Sequence, residues 1–457
     1  VVKGGGHSYQ GTSNAPDSLL VWTRRMNSVA LHDAFVPTGT GATPQHAVSV
    51  GAGAMWIDAY DAVTTRGGRY VQGGGCTTVG VAGLVQSGGF GSFSKRWGTA
   101  AGNLREAEIA TPDGRTRISN AATHPDLFWA IKGGGGGSFG VVTRLTLRTF
   151  DLPETFGAVF GAIRARTPEA YRMLVAKALD FYRTALFNPT WGEQMRFEHG
   201  DTLAISMVFQ GISQADAERI WAPFADWAMS RDDLVVGRRI QAMALPARHF
   251  WDADFFRQNA PGFMVADDRA GASPHHVVWA GDQDQVGWFI HGYQSAWLPS
   301  RSLADGKLAD ALCEASQHWD VALHFNKGLG GGDPDAIERT RDTATHPQMQ
   351  EAFALAIIAA GDGPAFPGMA DPDLAKARRA AGGVDRAMSI LRRVAPDAGS
   401  YVSESNYFER DWQRSHWGTN YARLARIKAK YDPEGLFTVH HGVGSGRWNS
   451  DGFEPAR

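Results

Sequence analysis

The pattern of apolar and polar residues predicts short β-strands separated by glycine-rich turns in the first 150 residues. The predicted strands cover His46 to Gly53, Leu104 to Gly114 and Phe139 to Phe150. Within the last of these, Val141 to Leu147 alternates between apolar and polar residues, which is the period of a half-buried strand. Met55 to Arg66 predicts one short helix, which the two glycines that follow would end.

From about residue 151 the pattern changes to long amphipathic helices that alternate with strands. Ser213, with Asp216 three residues later, resembles a capping box at the start of a helix that ends near Met229. Two further helices are predicted, from Thr167-Pro168 to about Ala185 and from Asp371-Pro372 to about Val394. The strands predicted in this region are Thr202 to Gln210, His276 to Ala280, Trp288 to Trp297 and Val321 to Lys327.

The pattern changes again in the last segment of the chain. Asn420 to Lys430 predicts a basic amphipathic helix, and Asp432-Pro433 predicts a further helix start with proline at the first helical position. We therefore expect an α+β protein with an N-terminal domain over residues 1–151 and a middle domain over residues 152–400. Residues 401–457 are expected to pack back onto the first domain.

Composition excludes some classes of protein and leaves the compartment open. A chain of 457 residues predicts two domains, and its formal net charge of -2, without a basic block, argues against a nucleic-acid partner. The longest apolar runs, such as Ala352 to Ala360, are too short to span a bilayer. Two cysteines, Cys76 and Cys313, make no disulfide framework, so a secreted and a cytoplasmic protein are both open. Because the chain starts in what reads as a strand, any targeting segment is expected upstream.

Three clusters of glycine indicate a backbone that approaches a ligand closely. They span Gly4 to Gly6, Gly73 to Gly91 and Gly133 to Gly140. The last formally matches G-x-G-x-x-G, but a predicted helix precedes it and a strand follows it, which reverses the order of a dinucleotide fingerprint. No G-K-[ST] follows any cluster, so a P-loop is excluded. Together the clusters predict a large phosphate-bearing cofactor that lies across several loops.

His7 and Cys76 each stand at the end of a glycine triplet, in GGGHSYQG and QGGGCTTVG. Either residue alone is ordinary, but a nucleophilic imidazole and a nucleophilic thiol in such places are suited to bonding a flavin ring. Both segments resemble the flavin-attachment motifs of the vanillyl-alcohol-oxidase superfamily, in its berberine-bridge-enzyme-like branch. The resemblance continues through DLFWAIKGGGGGSFGVVT and into SNYFERDW and WGTNYARLARIKAKYDPEGLF.

The resemblance implies FAD bonded twice, through His7 at the 8α carbon and through Cys76 at C6. It also implies a two-domain FAD-binding fold of the vanillyl-alcohol-oxidase type, with a substrate domain of antiparallel sheet covered by helices. The cofactor-binding residues that it implies beside these two are Gly4, Gly5, Gly6, Ser8, Gly75, Thr77, Thr78, Val79, Gly80, Gly83, Gly88, Gly89, Gly91, Gly140, Val141, Val142 and Tyr407.

Two departures from the family pattern are visible. The family's first strand–helix–strand unit, upstream of the GGGHSY loop, is absent from this sequence. In addition, Ala101-Gly102-Asn103 stands where the family commonly has Ala-Asp-Asn, which weakens any role for an acidic residue there.

The resemblance makes Tyr407, in the dipeptide Asn406-Tyr407, the base that takes the proton of a substrate hydroxyl. A free tyrosine has a pKa near ~10, so a nearby cation or hydrogen-bond donor is needed. Lys327 is the first choice for that donor, followed by Tyr293 and Gln294, and Tyr401 and Glu404 are near enough in sequence to reach the same cavity. Alternation over Val321 to Lys327 predicts His324 and Asn326 on one face, and Lys327 on the other.

Several functions remain open at this point. The first is an oxidase for an alcohol, sugar or phenolic-type substrate that reduces O2 to H2O2. The second is a secondary-metabolite enzyme performing oxidative C–C or C–N chemistry, and the third is a flavin-bearing binding or defence protein with little turnover. We expect a monomer or a homodimer and no membrane partner. No metal is expected, because adjacent residues of the doublets His275-His276 and His440-His441 would point to opposite faces of a strand.

Overall fold

The computed structural model describes residues 1–15, 17–285 and 287–448. The first part of the chain forms a short parallel pair, β1 and β2, and a larger antiparallel sheet with the strand order β3-β4-β8-β6-β7, in which β5 pairs with β8. The strands are β1 (Val2–Lys3), β2 (Val21–Trp22), β3 (Val29–Phe35), β4 (Gln45–Gly51), β5 (Arg69–Val71), β6 (Leu104–Ala110), β7 (Thr116–Asn120) and β8 (Val141–Asp151).

Short helices carry the glycine loops between these strands. They are α1 (Trp56–Tyr60), continued by a π-helical turn to Arg66, α2 (Val81–Gln86), α3 (Ser94–Trp97) and α4 (Pro125–Ile131). Helix α1 begins where the carboxylate of Asp58 accepts the backbone N–H of Met55 at 2.8 Å, an arrangement that satisfies a donor at the helix start. Helix α4 comes before, and β8 after, the last glycine cluster, so the predicted reversal of the Rossmann order is confirmed.

The second part of the chain forms a seven-stranded antiparallel sheet with the order β12-β9-β11-β10-β16-β17-β15. A separate hairpin, β13 with β14, stands outside it. The strands are β9 (Thr155–Ala165), β10 (Trp191–Glu198), β11 (Thr202–Gln210), β12 (Leu234–Pro246), β13 (Met264–Ala266), β14 (Val277–Trp279), β15 (Trp288–Pro299), β16 (Val321–His324) and β17 (Ala352–Pro364).

Helices pack on one face of this sheet and bury its apolar residues. They are α5 (Pro168–Phe181), α6 (Gln214–Met229), α8 (Gly306–Ser316) and α10 (Leu374–Val394). Two other helices pack elsewhere: α7 (Ala253–Asn259) contacts β13, and α9 (Pro334–Arg341) contacts α3. The Ser213 hydroxyl accepts the N–H of Asp216 at 3.1 Å, and the Asp216 carboxylate faces the Ser213 N–H, so the predicted capping box at α6 is confirmed. Helix α10 begins after Asp373, two residues later than the Asp371-Pro372 start that the sequence predicts.

The C-terminal segment packs on the first sheet through α11 (Trp412–Trp417) and α12 (Tyr421–Tyr431). The Trp417 indole N–H donates to the carbonyl of Gly133 at 3.0 Å, and Lys428 donates to the carbonyl of Ser138 at 2.6 Å. The expected helix start at Asp432-Pro433 is wrong, because the chain turns there without forming a helix. The Asp432 carboxylate instead accepts the backbone N–H of Leu436 and pairs with Lys428.

The other expected elements agree with the structure within a few residues, and β16 is the exception that matters. The strand ends at His324, and residues 325–327 form a single 3₁₀ turn. That turn rotates the side chains out of the strand's alternation, so Lys327 does not follow the period of two that the sequence suggests. As a result Asn326 and Lys327 line the same cavity.

Candidate active site

A cavity of about 1340 Å³ lies between the glycine loops of the first part of the chain and the open face of the seven-stranded sheet. Its walls come from stretches of sequence that are far apart. On one side they are the loop 4–13, the loop 74–92 and the last glycine cluster with the turn at 439–442. On the other side they are α7, the turn after β14, the segment 401–404 and residues from the strands of the seven-stranded sheet. The predicted site residues His7, Cys76, Tyr293 and Lys327 all line this single cavity.

The first two glycine loops touch each other, and glycine is required for that contact. A Cβ at Gly5 would lie 2.6 Å from the backbone nitrogen of Gly80, which is closer than any side chain tolerates. Gly6 adopts φ of 90°, a left-handed conformation that glycine reaches without strain. The contact brings His7 next to the loop that carries Cys76, and the His7 Nε2 atom shares a hydrogen bond of 2.8 Å with the Thr78 hydroxyl.

The remaining glycines divide into those that face the cavity and those that face protein. A Cβ at Gly83 or Gly136 would meet no atom within 4 Å, so both leave room in the cavity for a ligand. Of the predicted cofactor-binding residues, those that line the cavity are Gly4, Gly5, Gly6, His7, Ser8, Gly75, Cys76, Val79, Gly80, Gly83, Gly140 and Val142.

The predicted residues that do not line the cavity are Thr77, Thr78, Gly88, Gly89, Gly91, Val141 and Tyr407. Close packing against protein accounts for the glycines among them. A Cβ at Gly91 would lie 1.6 Å from the carbonyl oxygen of Gly73, and one at Gly89 would lie 2.7 Å from the Cβ of Ala100. Thr77 is buried and donates to the carbonyl of Val277 at 2.5 Å.

Asp282 is a cavity residue that the sequence analysis did not single out. It lies in the turn after β14, and its carboxylate shares a hydrogen bond with the Cys76 thiol. Burial, with the Asp282 charge, raises the pKa of Cys76, so the thiol is protonated at neutral pH. The His7 ring opens onto the cavity, yet the surrounding protein desolvates it and lowers its pKa, an effect that the Asp282 charge opposes. No motif marks Asp282, since it comes from a loop about 200 residues away.

Charged and polar groups of the seven-stranded sheet, of the turn after β16 and of the segment 401–404 form the opposite wall. Lys327 donates to the Glu404 Oε1 atom at 2.5 Å, and both side chains are 14% exposed. The Glu404 Oε2 atom is buried and has no hydrogen-bond partner among the described residues. In β10, Glu193 adopts φ of 63°, which is strained for a residue with a side chain, and its carboxylate accepts from Ser92 at 2.5 Å. Burial raises the pKa of Glu193.

Tyr9 and Tyr293 stack on each other with ring centroids 4.7 Å apart, and their hydroxyls share a hydrogen bond. Burial and the neighbouring Glu404 charge raise the pKa of both phenols above the ordinary range, so both stay neutral. Tyr9 follows His7 by two residues, within the motif GGGHSYQG, and was not predicted as a site residue. Gln294 takes no part, because it donates to Asp385 on an exposed surface.

Tyr407 lies on the loop before α11, 48% exposed. Its ring stacks on the His440 ring with centroids 3.9 Å apart, and His440 Nε2 donates to the Tyr407 carbonyl at 2.7 Å. His440 lines the cavity and Tyr407 does not. The role of Tyr407 as a base therefore stays a prediction, and it requires the ring to leave the His440 stack.

The two histidine doublets differ from the expected geometry, because neither lies on a strand. His275 and His276 precede β14 in a turn, and both turn toward one acceptor: the Oδ1 atom of Asp58 lies 3.2 Å from the Nε2 atom of His275 and 2.8 Å from that of His276. The rings of His440 and His441 stack at 3.8 Å. The prediction that the two side chains of each doublet point to opposite faces is therefore wrong.

The cavity fits a flavin dinucleotide in the chemistry of its walls. Bare glycine backbone faces it on one side, a thiol and an imidazole stand at the junction of two loops, and ionisable groups occupy the other wall. A family model described as FAD binding domain matches residues 1–119, and a model described as berberine and berberine like matches residues 396–444. The fold and the site define a flavoprotein.

Curated relatives extend this match to almost the whole chain. The FAD-linked oxidoreductase easE of Trichophyton verrucosum is 32% identical over 461 residues, which cover 99% of this chain and 70% of that protein. The chain belongs to the FAD-linked oxidoreductases. Its match to the berberine and berberine like model agrees with the branch that its sequence resembles. The chain is an FAD-dependent oxidoreductase that acts on a small molecule.

Solved structures confirm the fold. The flavoprotein MtVAO615 of Myceliophthora thermophila C1 superposes with a TM-score of 0.77 at 24% identity, over 99% of this chain and 76% of that one. A glucooligosaccharide oxidase of Acremonium strictum, described with a 6-S-cysteinyl, 8α-N1-histidyl FAD, gives 0.72 at 18% identity, over 97% and 86%. In the described part of the chain, none of the helices has the length and apolar character needed to cross a bilayer.

Proposed function

We propose that this chain is an oxidase that carries FAD on two covalent bonds, through His7 and Cys76. Its substrate is an alcohol, a sugar or a phenolic-type compound, and O2 reoxidises the cofactor to give H2O2. The bound flavin supplies the acceptor for the hydride that leaves the substrate carbon. The glucooligosaccharide oxidase named above, whose FAD is held through a cysteine and a histidine, supports the assignment of both tethers.

The observation that carries the proposal is that His7 and Cys76 line one cavity with a polar wall contributed by the seven-stranded sheet. The two residues are 69 positions apart in sequence, and the contact between Gly5 and Gly80 brings their loops together. Two nucleophiles on one side and ionisable groups on the other are the arrangement that a tethered redox cofactor and its substrate require.

The wall opposite the glycine loops suits a substrate that carries hydroxyl groups. Tyr9 and Tyr293 offer an aromatic surface on which a sugar or phenol ring can stack. The Glu404 Oε2 atom, which lacks a partner among the described residues, is a ready acceptor for a substrate hydroxyl. Lys327 holds the other carboxylate oxygen and so fixes the orientation of the group.

Removal of the hydroxyl proton needs a base within hydrogen-bond reach of the substrate. Tyr407 is the base that the resemblance implies, and we retain it as the proposed proton acceptor. Glu404 lines the cavity and Tyr407 does not, so Glu404 is the second candidate for the base. Substitution of each residue in turn tests the two assignments separately.

Acid precipitation of the denatured protein tests the covalent part of the proposal. A yellow pellet, with flavin mass on the peptides that contain His7 and Cys76, is the expected result. A colourless pellet would refute covalent attachment. A screen of alcohols, sugars and phenolic compounds with peroxide detection tests the oxidase reaction, and a substrate that reduces the flavin under anaerobic conditions without yielding peroxide in air would identify a dehydrogenase.

A further inference from the structure

The cluster of Asp58, His275 and His276 lies outside the cavity and has no part in the proposed reaction. It joins α1 to the turn before β14, which are more than 200 residues apart in sequence. One oxygen, one nitrogen from His275 and one from His276 converge with all three atoms within 4.8 Å of one another. Two imidazoles and a carboxylate are a ligand set that Zn²⁺ and similar divalent transition metals prefer.

The distances between the three ligand atoms are compatible both with hydrogen bonds and with a shared metal ion. The Asp58 Oδ1 atom lies 2.8 Å from the His276 Nε2 atom and 3.2 Å from the His275 Nε2 atom. Ligands at about 2.0–2.1 Å from a tetrahedral zinc ion are roughly 3.3 Å apart, so only small movements separate the two states. The rings of the two histidines pack edge to face, with centroids 4.8 Å apart and an interplanar angle of 89°, while both Nε2 atoms face the Asp58 Oδ1 atom.

The groups behind these ligands have the chemistry of a metal site's supporting residues. The His275 Nδ1 atom shares a hydrogen bond of 2.8 Å with the Ser273 hydroxyl, which holds the ring and lets Nε2 act as the ligand atom. The Asp61 carboxylate lies 3.9 Å from the same Nδ1 atom. The second oxygen of Asp58 is oriented by the Met55 N–H, so the first oxygen is presented to the histidines.

The positive charge of Arg24 opposes the binding of a cation at this cluster. The Arg24 guanidinium lies 3.7 Å from Asp58 Oδ2, the oxygen that points away from the histidines, and it also donates to the carbonyl of Gly53. Asp61 is paired with Arg66 at 2.7 Å, so it adds little net charge. These contacts lower the affinity. A cation would enter from the side of His275, whose side chain is 31% exposed, whereas those of His276 and Asp58 are 14% and 10% exposed.

We propose that Asp58, His275 and His276 bind one Zn²⁺-type divalent cation, with water in the fourth position. The ion fixes the turn before β14 to α1. The next residue, Val277, accepts a hydrogen bond from Thr77, and Trp279 donates to the carbonyl of Gly75 at 3.1 Å. The site therefore stabilises the segment that places Asp282 beside Cys76, and it does not depend on whether flavin is attached there.

Zinc binding by the purified protein, freed of metal with a chelator, tests the proposal. Competition with a chromogenic zinc indicator should give one Zn²⁺ per chain with a micromolar or tighter dissociation constant. His275→Gln should weaken binding by at least about tenfold, because loss of a ligand costs no less than loss of a supporting residue. His276→Gln should weaken binding in the same way. It provides a second test if His275→Gln is poorly folded.

His249→Gln is the matched control. His249 also pairs with a carboxylate, that of Asp252 at 2.8 Å, but it has no second histidine beside it. The dissociation constant of His249→Gln for Zn²⁺ should equal that of the unaltered protein. Failure to bind zinc at micromolar free concentration, or binding that survives both His275→Gln and His276→Gln, overturns the proposal and leaves the cluster as a set of hydrogen bonds. Because the assay measures metal alone, its outcome is independent of flavin attachment and of oxidase activity.

A second readout follows the segment itself. Arg269 lies in the exposed loop before the histidines, so trypsin cleavage there reports on opening of the loop. Zinc should slow this cleavage in the unaltered protein and in His249→Gln, and should leave His275→Gln unchanged. Equal slowing in all three proteins would show that zinc acts elsewhere and would overturn the proposal.

Discussion

The Lys327 ammonium lies 2.5 Å from the Glu404 Oε1 atom, although 77 residues separate the two in sequence. The pair joins the end of β16 to the C-terminal segment inside the cavity. Lys327 is thereby committed to a carboxylate, and any help that it gives to a catalytic base passes through Glu404. Removal of only one member of a buried ion pair strongly destabilises the folded protein, because the other charge stays buried without a partner.

Replacement of Lys327 tests this arrangement. In Lys327→Met the Glu404 carboxylate loses the cation that fixes its orientation in the cavity. Anaerobic flavin reduction by a substrate from the screen should then slow, by up to ~10²-fold if the carboxylate moves by about 1 Å. Lys327→Arg keeps the charge and should reduce the flavin at nearly the rate of the unaltered protein. A rate in Lys327→Met within a few-fold of the unaltered protein would remove the ion pair from the reaction.

The two proposed flavin tethers can be separated by single substitutions. His7→Ala and Cys76→Ala should each leave one covalent bond, so the denatured protein stays coloured and only the flavin redox potential and spectrum change. The double variant should release its flavin on denaturation. Cys313→Ala is the control, because Cys313 lies on α8, partly buried and away from the cavity, and the variant should behave like the unaltered protein. Release of all flavin from either single variant would contradict attachment at two residues.

Asp282→Asn tests how the Cys76 bond forms. The buried Cys76 thiol is protonated at neutral pH and must lose its proton to become a nucleophile. The Asp282 carboxylate is hydrogen-bonded to it and can take that proton. We expect Asp282→Asn to lower the fraction of Cys76 peptide that carries flavin, while the His7 peptide remains labelled.

Asp267→Asn provides the comparison for this experiment, since Asp267 lies on the same segment but is paired with Arg269 outside the cavity. Peptide mass spectrometry after a fixed time of reconstitution with FAD gives the readout. Equal labelling of Cys76 in Asp282→Asn and in the unaltered protein would show that another group accepts the proton.

Local signals in the sequence were sufficient for much of the fold. The Ser213 capping box gave the start of α6, and the alternation in Val141 to Leu147 gave most of β8. These elements are specified by neighbours a few residues apart, which a single sequence displays. Gly5 and Gly80 were also legible as members of two glycine clusters, although the contact between them was not.

Features that depend on distant residues could not be read in the same way. The face that Lys327 presents depends on where β16 ends, and Phe325 begins a 3₁₀ turn there. The place of Asp282 depends on how the β13–β14 hairpin packs over residues 75–77, a contact held by Thr77 and Trp279. His275 and His276 converge because a carboxylate from α1 faces them. Such contacts form between loops, where periodicity carries no information.

Tyr407→Phe tests the base that the resemblance implies. The substitution keeps the ring and its stack on His440 while it deletes the hydroxyl. If Tyr407 accepts the substrate proton, flavin reduction should slow by ~10²–10⁴-fold with flavin content unchanged. A rate within a few-fold of the unaltered enzyme would reject Tyr407. In that case Glu404→Gln, which removes the carboxylate base and retains its shape, should show the loss instead.

We predict that a cluster of histidines around His416 lowers the stability of the protein in acid. His416 is 2% exposed, and neither of its ring nitrogens has a partner among the described residues. Burial lowers its pKa to about 3, with further lowering by His441, His346 and His440 around it. Burial also lowers the pKa of His346 to about 4, and burial with the His440 charge lowers that of His441 to about 4.

Each of these histidines is neutral in the folded protein at pH 5, whereas in the unfolded chain it binds a proton below pH ~6.5. The unfolded state therefore binds more protons between pH ~6.5 and pH ~4, and the free energy of unfolding falls as the pH is lowered through that window. His416→Phe replaces a polar ring without partners by an apolar ring in an aromatic environment of Trp412, Trp417 and His441.

The variant should be about as stable as the unaltered protein at pH 7.5 and more stable at pH 5, because one of the groups that favours the protonated unfolded chain is gone. Thermal unfolding at the two pH values measures the difference. His318→Phe is the control, since His318 is exposed after α8 and its removal should leave the pH dependence as it was. If His416→Phe and the unaltered protein lose the same stability between pH 7.5 and pH 5, protonation of His416 does not contribute to acid unfolding.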